Sequence, residues 1–488
     1  MKIEVVSENF IKTITCEKGE ILLSVLQRNG YNIAARCGGN GTCGKCKVKV
    51  LFGHFGGQNG EDILSCRAIV EDDARIEIIE CEGNGLVFTK PADFKTDGED
   101  GVGVALDIGT TTLAYALVDL KSGAEIKACG ELNRQGIYGA DVISRIASAD
   151  KGNLSAMQRA VLMQTERKLR EFMREYKTEN IRRLAVCGNT TMLNIFLGKN
   201  ISGIGRFPFV AEVLDSLTIQ GRTLGLPVDE IVILPSVAAY FGADAVAGGL
   251  AVNICGGDRI LADIGTNGEM LLHFGEKIWA ASTAAGPCFE GANIECGTGG
   301  VSGAVNAVYE ENGELKLKVL GGGNASGICG AGLVDAVAYM LEKGIIDETG
   351  SFVNGEKFYL TENIYVSQKD IRAFQLAKSA ICSGMRVLAK KAGLSPQRTE
   401  KLFIAGGLGF YFNRKNAVKT GLIPSEYADK TEVVGNSALA GAKMCLVSRS
   451  ARQAAQDLAK KICYVELSDE GSFSDEFMRN MGFGEDNA

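Results

Sequence analysis

Residues 104–118 read VALDIGTTTLAYALV, and residues 260–272 read ILADIGTNGEMLL. Each is an apolar run, then Asp-Ile-Gly-Thr, then a polar residue, then a second apolar run. That order predicts a strand, a tight turn and a strand. One copy is weak evidence, because a strand ending in an ordinary turn reads the same way. Two copies in the same setting form an internal repeat, and the repeat decides the architecture. Gly109 and Gly265 permit turns tight enough for backbone N–H groups to approach phosphate oxygens. Thr110, Thr111, Thr112 and Thr266 add hydroxyl donors. Asp107 and Asp263 can hold Mg²⁺ between phosphates, directly or through water. Two such hairpins facing each other across a cleft would clamp a nucleoside triphosphate from both sides.

Two further stretches extend the pattern. In LFIAGGLGFYFN (402–413) an apolar strand runs straight into Gly406-Gly407-x-Gly409, a turn against which a planar base can lie. The alternative is a strand-to-helix turn with no ligand. GNSALAGAK (435–443) opens a helix of small residues, suited to a close helix crossing. Together these four elements resemble the sugar kinase/actin/heat-shock ATPase superfamily. The resemblance implies that Asp107–Thr112 is a first phosphate loop. It makes Asp263–Glu269, with Gly265, Thr266, Asn267 and Gly268, the second, and Ala405–Gly409 an adenosine loop. Tyr240–Gly248 and Gly435–Ala442 become connecting helices. It also implies two lobes, each a mixed sheet of ribonuclease-H-like type covered by helices.

The N-terminal part carries different chemistry. Cys37, Cys43 and Cys46 lie in RCGGNGTCGKC, and Cys66 lies in ILSCRAIV, giving C-x5-C-x2-C-x19-C. A [2Fe–2S] cluster needs four thiolates, and three in one loop with a distant fourth can cage it. Which pair shares an iron cannot be read from spacing. Gly38, Gly39, Gly41 and Gly44 free the loop to aim N–H groups at the cluster sulfurs. Zinc is the rival reading, but structural zinc prefers two C-x2-C knuckles, and only one is present. KIEVVSENFIKTITCEKG predicts two short strands around a turn at Glu8-Asn9. Ile21–Asn29 predicts a short amphipathic segment, and Cys46–Phe52 and Ala74–Glu80 predict strands. This mixed sheet with one helix resembles the plant-type ferredoxin, or β-grasp, fold. Its first cysteine gap differs by one residue and its third gap is short, which bears on the cluster's potential. Plant-type ferredoxins sit at about −400 mV.

The boundaries follow. Residues 1–82 form the ferredoxin-like domain, and the polar, Gly-containing 83–100 form a linker. Residues 101–255 form lobe I and 256–434 lobe II. Residues 435–488 form a connecting helix and a C-terminal tail returning to lobe I. The fold class is thus α+β followed by a two-lobed α/β unit. Long amphipathic runs at Leu154–Tyr176 and Asp370–Ala392 predict helices covering the sheets. A net charge of −7 argues against a nucleic-acid-binding surface. The apolar stretch Ile231–Cys255 contains Pro235 and Asp244, so it reads as core and not as a membrane span. MKIEVVSENF shows no export signal, which places the 15 cysteines in a reducing, cytoplasmic setting.

Four more motifs narrow the resemblance: GADVISRI (139–146), CGNTTM (187–192), GPCFEGANI (286–294) and GICGAGLVDAVA (327–338). With a cluster domain in front, the chain resembles the reductive activators of corrinoid proteins. What this implies is a redox ATPase with three cofactors: a [2Fe–2S] cluster, ATP and Mg²⁺. It would pass one electron from the cluster to the Co(II) of a corrinoid protein, regenerating Co(I), coupled to ATP binding and hydrolysis. A reduced ferredoxin or reductase would be the donor, and a homodimer is allowed. Larger members insert a substantial middle region before the ATPase. Here only a short linker separates Cys81 from the strand near Val104, so that region is expected to be missing. Rival readings are an activator of another low-potential metalloenzyme, a ferredoxin-fused small-molecule kinase, and a non-catalytic sensor. Asp107, Asp263 and Glu269 are the candidate catalytic residues. Glu269 would position the attacking water or bind Mg²⁺, and Glu290 is a similar case. Cys288, Cys296 and Cys329 read as buried thiols.

Overall fold

The computed structural model describes residues 1–7, 10–29, 46–58, 60–78, 95–406 and 412–483. The expected turn at Glu8-Asn9, Cys37, Cys43 and the loop glycines between them, linker residues 83–94, Gly407 and Gly409 lie outside the described residues.

The N-terminal domain is built on a hairpin, β1 (Lys2–Ser7) and β2 (Phe10–Thr15), followed by α1 (Leu22–Arg28). Next come β3 (Lys47–Phe52), β4 (Phe55–Gly56), β5 (Asp62–Leu64), β6 (Ile69–Val70) and β7 (Ala74–Glu77). The main sheet runs β2-β1-β7-β3-β5, and β4 pairs with β6 beside it. β1 and β7 are parallel, and the remaining pairs are antiparallel. Alternation points Ile3, Val5, Val48 and Ile76 to one face, where they are buried with Leu22, Val25 and Leu26 of α1. This is the ferredoxin-like arrangement expected.

Lobe I starts with β8 (Val102–Ile108), β9 (Thr112–Asp119) and β10 (Glu125–Leu132). Then come α2 (Val142–Ser148), α3 (Leu154–Glu175), β11 (Ile181–Gly188) and α4 (Thr190–Phe196). β12 (Leu217–Gln220), β13 (Val228–Ile233) and α5 (Ala243–Ala251) complete it. Helix α3 buries Met157, Val161, Leu169 and Phe172 at helical spacing, as its sequence period requires. The sheet order is β10-β9-β8-β11-β13-β12.

Lobe II repeats the plan with β14 (Arg259–Ile264), β15 (Gly268–Phe274) and β16 (Lys277–Thr283). A side sheet follows: β17 (Ala304–Glu311), β18 (Glu314–Val319) and β19 (Gly327–Ile328), backed by α6 (Gly330–Glu342). The short hairpin β20 (Lys357–Tyr359) and β21 (Tyr365–Ser367) leads into α7 (Gln368–Ala392). Ser367 and Asp370 start α7 with a capping box, and Gly393, at φ 73°, stops it. After it come β22 (Lys401–Gly406), α8 (Arg414–Lys419) and β23 (Thr431–Gly435). The chain ends with α9 (Ser437–Val447), α10 (Arg449–Lys461), β24 (Ile462–Tyr464) and α11 (Gly471–Arg479).

The second sheet runs β23-β22-β14-β15-β16-β24. In both lobes the first three strands are antiparallel neighbours, and the first strand has a parallel pair on its other side. The internal repeat in the sequence is therefore a repeat of topology. It extends to a detail: Gly188 at the end of β11 lies opposite Ile108, and Gly406 at the end of β22 lies opposite Ile264.

Helices α5 and α9 lie between the sheets. One apolar core joins Val104 and Leu106 of β8, Val246 of α5 and Leu439 and Leu446 of α9 to Leu261 and Leu271 of lobe II. The crossing is close because Gly441 faces the α5 backbone. A Cβ added there would stand 2.0 Å from the Ala247 carbonyl oxygen.

The tail expectation needs correcting. Helices α9 and α10 do pack with lobe I, but β24 adds to the edge of the second sheet, parallel to β16. Helix α11 packs on α7, and Val465, Leu467 and Phe483 join the lobe II core. A three-residue strand is too short for its pairing partner to be read from sequence. Residues 95–100 are held to lobe I: the Asp97 N–H donates to the Val447 carbonyl at 3.0 Å, and Arg183 pairs with Glu99 at 2.9 Å.

Candidate functional site

The two Asp-Ile-Gly-Thr turns sit where the lobes meet. In the first, the Gly109 N–H donates to the Thr112 carbonyl at 2.9 Å, closing the hairpin. A Cβ on Gly109 would fall 2.6 Å from that oxygen, so the turn needs glycine. The loop's other carbonyls are taken from the protein side. Asn133 Nδ2 donates to the Gly109 oxygen at 2.9 Å, and the Asn133 N–H to that of Thr111 at 2.8 Å. Arg145 donates to the Thr110 oxygen. With its carbonyls turned inward, the loop presents donors to the cleft, which suits an anion. Asn189, which caps α4, also donates to Thr110 Oγ1 at 3.0 Å.

Arg145 is only 1% exposed and makes no ion pair among the described residues. Its partners are neutral: the Gly139 and Thr110 carbonyls, Gln135 Oε1 and Met192 Sδ. Burial lowers its pKa to about 9, so it stays a cation at neutral pH behind the first loop.

In the second turn the Gly265 N–H donates to the Asn267 carbonyl at 2.9 Å. A Cβ on Gly268 would strike Ile381 of α7 at 2.1 Å, so the long helix braces this loop from below. Gly406, at φ 99°, sits against the same strand. A Cβ there would lie 2.4 Å from the Ile264 oxygen and 2.6 Å from Asp263 Oδ1. Of the expected adenosine-loop glycines, Gly406 is thus placed beside Asp263.

Carboxylates gather at the mouth of the two turns. Asp263 of β14 and Glu269 of β15 are directly opposed across the antiparallel pair, a like-charge pairing that a purely structural sheet avoids. Both side chains are half-buried. Burial first, then repulsion from neighbouring carboxylates, raises their pKa values. Asp263 rises to about 8, with Asp244, Asp107 and Glu290 contributing. Asp244 rises to about 7, with Asp107 contributing, and Glu269 lies well above the usual range. Asp107 rises to about 6 by burial, opposed by Asn436, which donates to it at 2.9 Å. Asn436 also caps α9, so the connecting helix is tied to the first loop's aspartate.

Asp244, on the first turn of α5, joins this group, as does Glu290. The connecting helix was legible as a small-residue segment, but nothing in its spacing marks Asp244 as facing the cleft. Among the described residues no three carboxylate, histidine or cysteine side chains converge into a complete cation cage. A magnesium ion here would take its remaining ligands from phosphate and water, as Mg²⁺ ordinarily does.

Glu290 holds the two turns together. It ends a short 3-10 helix, Pro287–Glu290, in lobe II. Thr111 Oγ1 of lobe I donates to its Oε2 at 2.5 Å, and Thr266 Oγ1 of lobe II donates to the same oxygen at 2.9 Å. The Thr266 N–H donates to Oε1 at 3.2 Å.

In the N-terminal domain Cys46 and Cys66 are both buried, at 1% and 8% exposure. Ser65 joins them: its N–H and its hydroxyl both donate to the Cys46 carbonyl, at 2.8 and 2.9 Å. Two of the four expected ligands, far apart in sequence, are thereby brought to neighbouring positions, which fits a shared cluster. Elsewhere Cys288 and Cys329 are buried, and Cys296 is half-buried.

Comparison with known proteins agrees with this arrangement. Residues 8–71 match the 2Fe-2S iron-sulfur cluster binding domain, 102–256 match the RACo middle region, and 258–488 match the C-terminal domain of RACo, the ASKHA domain. The middle region is therefore present and coincides with lobe I, which corrects the expectation that it was missing. The chain is 31% identical over 445 residues to the corrinoid activation enzyme RamQ of Eubacterium limosum, covering 84% of this chain and 74% of that one. It is 28% identical over 397 residues to a Co(II) methylated amine-specific corrinoid protein reductase of Methanosarcina barkeri, covering 74% and 72%. A solved structure of a reductive activator for corrinoid, iron-sulfur protein superposes with a TM-score of 0.74 at 27% identity, covering 98% of both chains. The chain belongs to the family of reductive activators of corrinoid proteins.

Proposed function

We propose that this chain uses ATP to transfer one electron from a [2Fe–2S] cluster to the Co(II) of a corrinoid protein, regenerating Co(I). The supporting observation is the combination, in one chain, of Cys46 held beside Cys66 with a duplicated phosphate-loop cleft. In the balance the cluster loses one electron, cobalt gains it, and ATP is hydrolysed to ADP and phosphate. When bound, the cluster stores the electron and ATP supplies the driving free energy.

The residues divide the work as follows. Cys37, Cys43, Cys46 and Cys66 hold the cluster. Thr110, Thr111, Thr112 and Thr266 bind phosphate oxygens, and Gly109 and Gly265 let the backbone approach them. Asp107 and Asp263 hold magnesium-bound water. Glu269 orients the attacking water. Gly406, Gly407 and Gly409 accept the adenosine. A reduced ferredoxin or reductase recharges the cluster in the cytoplasm. Helices α5 and α9, wedged between the lobes, carry any change in lobe angle toward the partner surface.

The test is anaerobic. The cluster is reduced, a Co(II) corrinoid protein is added, and the Co(I) absorption band is followed with and without ATP. The band should grow only when both reductant and ATP are present. Asp107→Ala should abolish that growth while the cluster spectrum stays intact. Hydrolysis of ATP without change at cobalt, across several corrinoid partners, would refute the proposal.

A further inference from the structure

We propose that Glu290 is a built-in competitor of the nucleotide's terminal phosphate, a latch joining the two lobes that a triphosphate must displace. The inference rests on the nucleotide reading above and adds a regulation of that same cleft.

A phosphate loop works by offering hydroxyl and N–H groups to an anion. In this structure three such donors already have an anion. Thr111 Oγ1, Thr266 Oγ1 and the Thr266 N–H all point at the Glu290 carboxylate. Two donors belong to lobe II and one to lobe I, so the carboxylate spans the cleft. It also lies directly on the second turn, since a Cβ on Gly265 would sit 3.1 Å from Glu290 Oε1.

The position is built. Gly286 donates its N–H to the Thr266 carbonyl at 2.9 Å, tying the start of the Glu290 segment to the same turn. Gly291, at φ 76°, ends the 3-10 helix, and a Cβ there would strike the Thr298 oxygen at 2.0 Å. The glutamate is thus presented by a rigid, glycine-bounded step and not by a long loop. Behind the first turn, the buried Arg145 donates to the Thr110 carbonyl, next to the Thr111 whose hydroxyl reaches Glu290.

A carboxylate and a phosphate cannot share these donors, because each donor proton serves one strong bond and the two anions repel. A triphosphate seated between the loops takes Thr111 and Thr266 and expels Glu290. The bridge between lobes then passes through phosphate in place of the side chain. A nucleotide that lacks terminal phosphates has no such contest to win. The latch therefore separates ATP from AMP, and it makes lobe-to-lobe contact depend on the nucleotide present.

The experiment measures Kd for a non-hydrolysable ATP analogue with Mg²⁺, and for AMP, on the full cluster-loaded chain. Wild type is compared with Glu290→Ala and the size-conserving Glu290→Gln, with the cluster spectrum and melting temperature as checks on folding. ATPase KM and kcat are recorded alongside. Both variants should bind the ATP analogue more tightly by about tenfold, the scale of one charge-assisted hydrogen bond removed from competition. AMP affinity should stay as in wild type. An analogue Kd that is unchanged or weaker in Glu290→Gln would overturn the latch. So would a collapse of kcat at unchanged Kd, which would make Glu290 a catalytic group. If wild type itself fails to bind the analogue, the nucleotide reading falls, and the latch with it.

Discussion

Asp263→Asn should stabilise the protein and disable it at once. Burial, reinforced by Asp244, Asp107 and Glu290, lifts the Asp263 carboxyl from the usual 3.8 to about 8. The folded state therefore keeps a proton that the unfolded chain releases. Wild-type stability from this group is intact at low pH and is lost as pH rises from about 4 to about 8, after which the loss is constant. At 1.36 kcal/mol for each tenfold step, the ceiling is ~6 kcal/mol. Water entering the cleft screens the charge, and an effective dielectric near 20 reduces the expected gain of the Asn variant to ~1–3 kcal/mol at pH 8. For lobes of this size that is about 2–4 °C in Tm per kcal/mol. The assay is anaerobic thermal unfolding of both proteins across pH 5 to 9, repeated with Mg·ATP. Without nucleotide, the margin of the variant over wild type should widen with pH and level off near pH 8. With Mg·ATP, wild type should gain stability and the variant should not. A margin that ignores pH, or a variant less stable than wild type at pH 8, would refute the electrostatic account.

Two other substitutions test separate parts of the molecule. Gly441→Ala puts a methyl group 2.0 Å from the Ala247 carbonyl oxygen and forces α5 and α9 apart. It should cost about 2–3 kcal/mol in denaturant unfolding and remove most ATPase activity, although Gly441 touches no ligand. Cys66→Ala should abolish the cluster's visible bands and electron transfer while leaving ATP affinity unchanged, as measured by calorimetry.

The duplicated turns were legible because glycine is forced there by geometry: Gly109 by the Thr112 oxygen, Gly268 by Ile381. The strands around them were legible because their apolar runs are buried on both faces, as in Val104 to Leu106. The cysteine spacing predicts a four-thiolate set, and Ser65 supplies a contact between Cys46 and Cys66 that spacing does not carry. Asp244 was missed because one aspartate on a helix of small residues carries no pattern. Its role depends on which way α5 faces after the lobes assemble. Arg145 is not legible because a buried arginine and a surface one look alike in a sequence. Glu290 stands out in a glycine-bounded motif, but its contact with Thr111 joins residues 179 positions apart. The tail was misassigned because β24 is three residues long, and lobe II recruits it through an edge open only in the folded sheet.

The placement of α9 has a consequence for how the chain is made. Lobe I is translated by residue 256, but the helix that covers its β8 and β11 strands ends at Val447. At roughly 5–20 residues per second, about ten to forty seconds pass on the ribosome before that cover exists. During that interval the face of the two strands that carries Gly103, Ala105 and Ala185, and that α9 will cover, stays uncovered by it. A nascent chain in this state is a natural client for a holding chaperone. Lobe I, cut at its own boundary, would emerge lacking part of its own interior. Among the described residues the N-terminal core runs from Ile3 to Ile78. It can fold on the ribosome long before the nucleotide cleft exists, leaving the electron carrier ready while the rest of the chain is still being made.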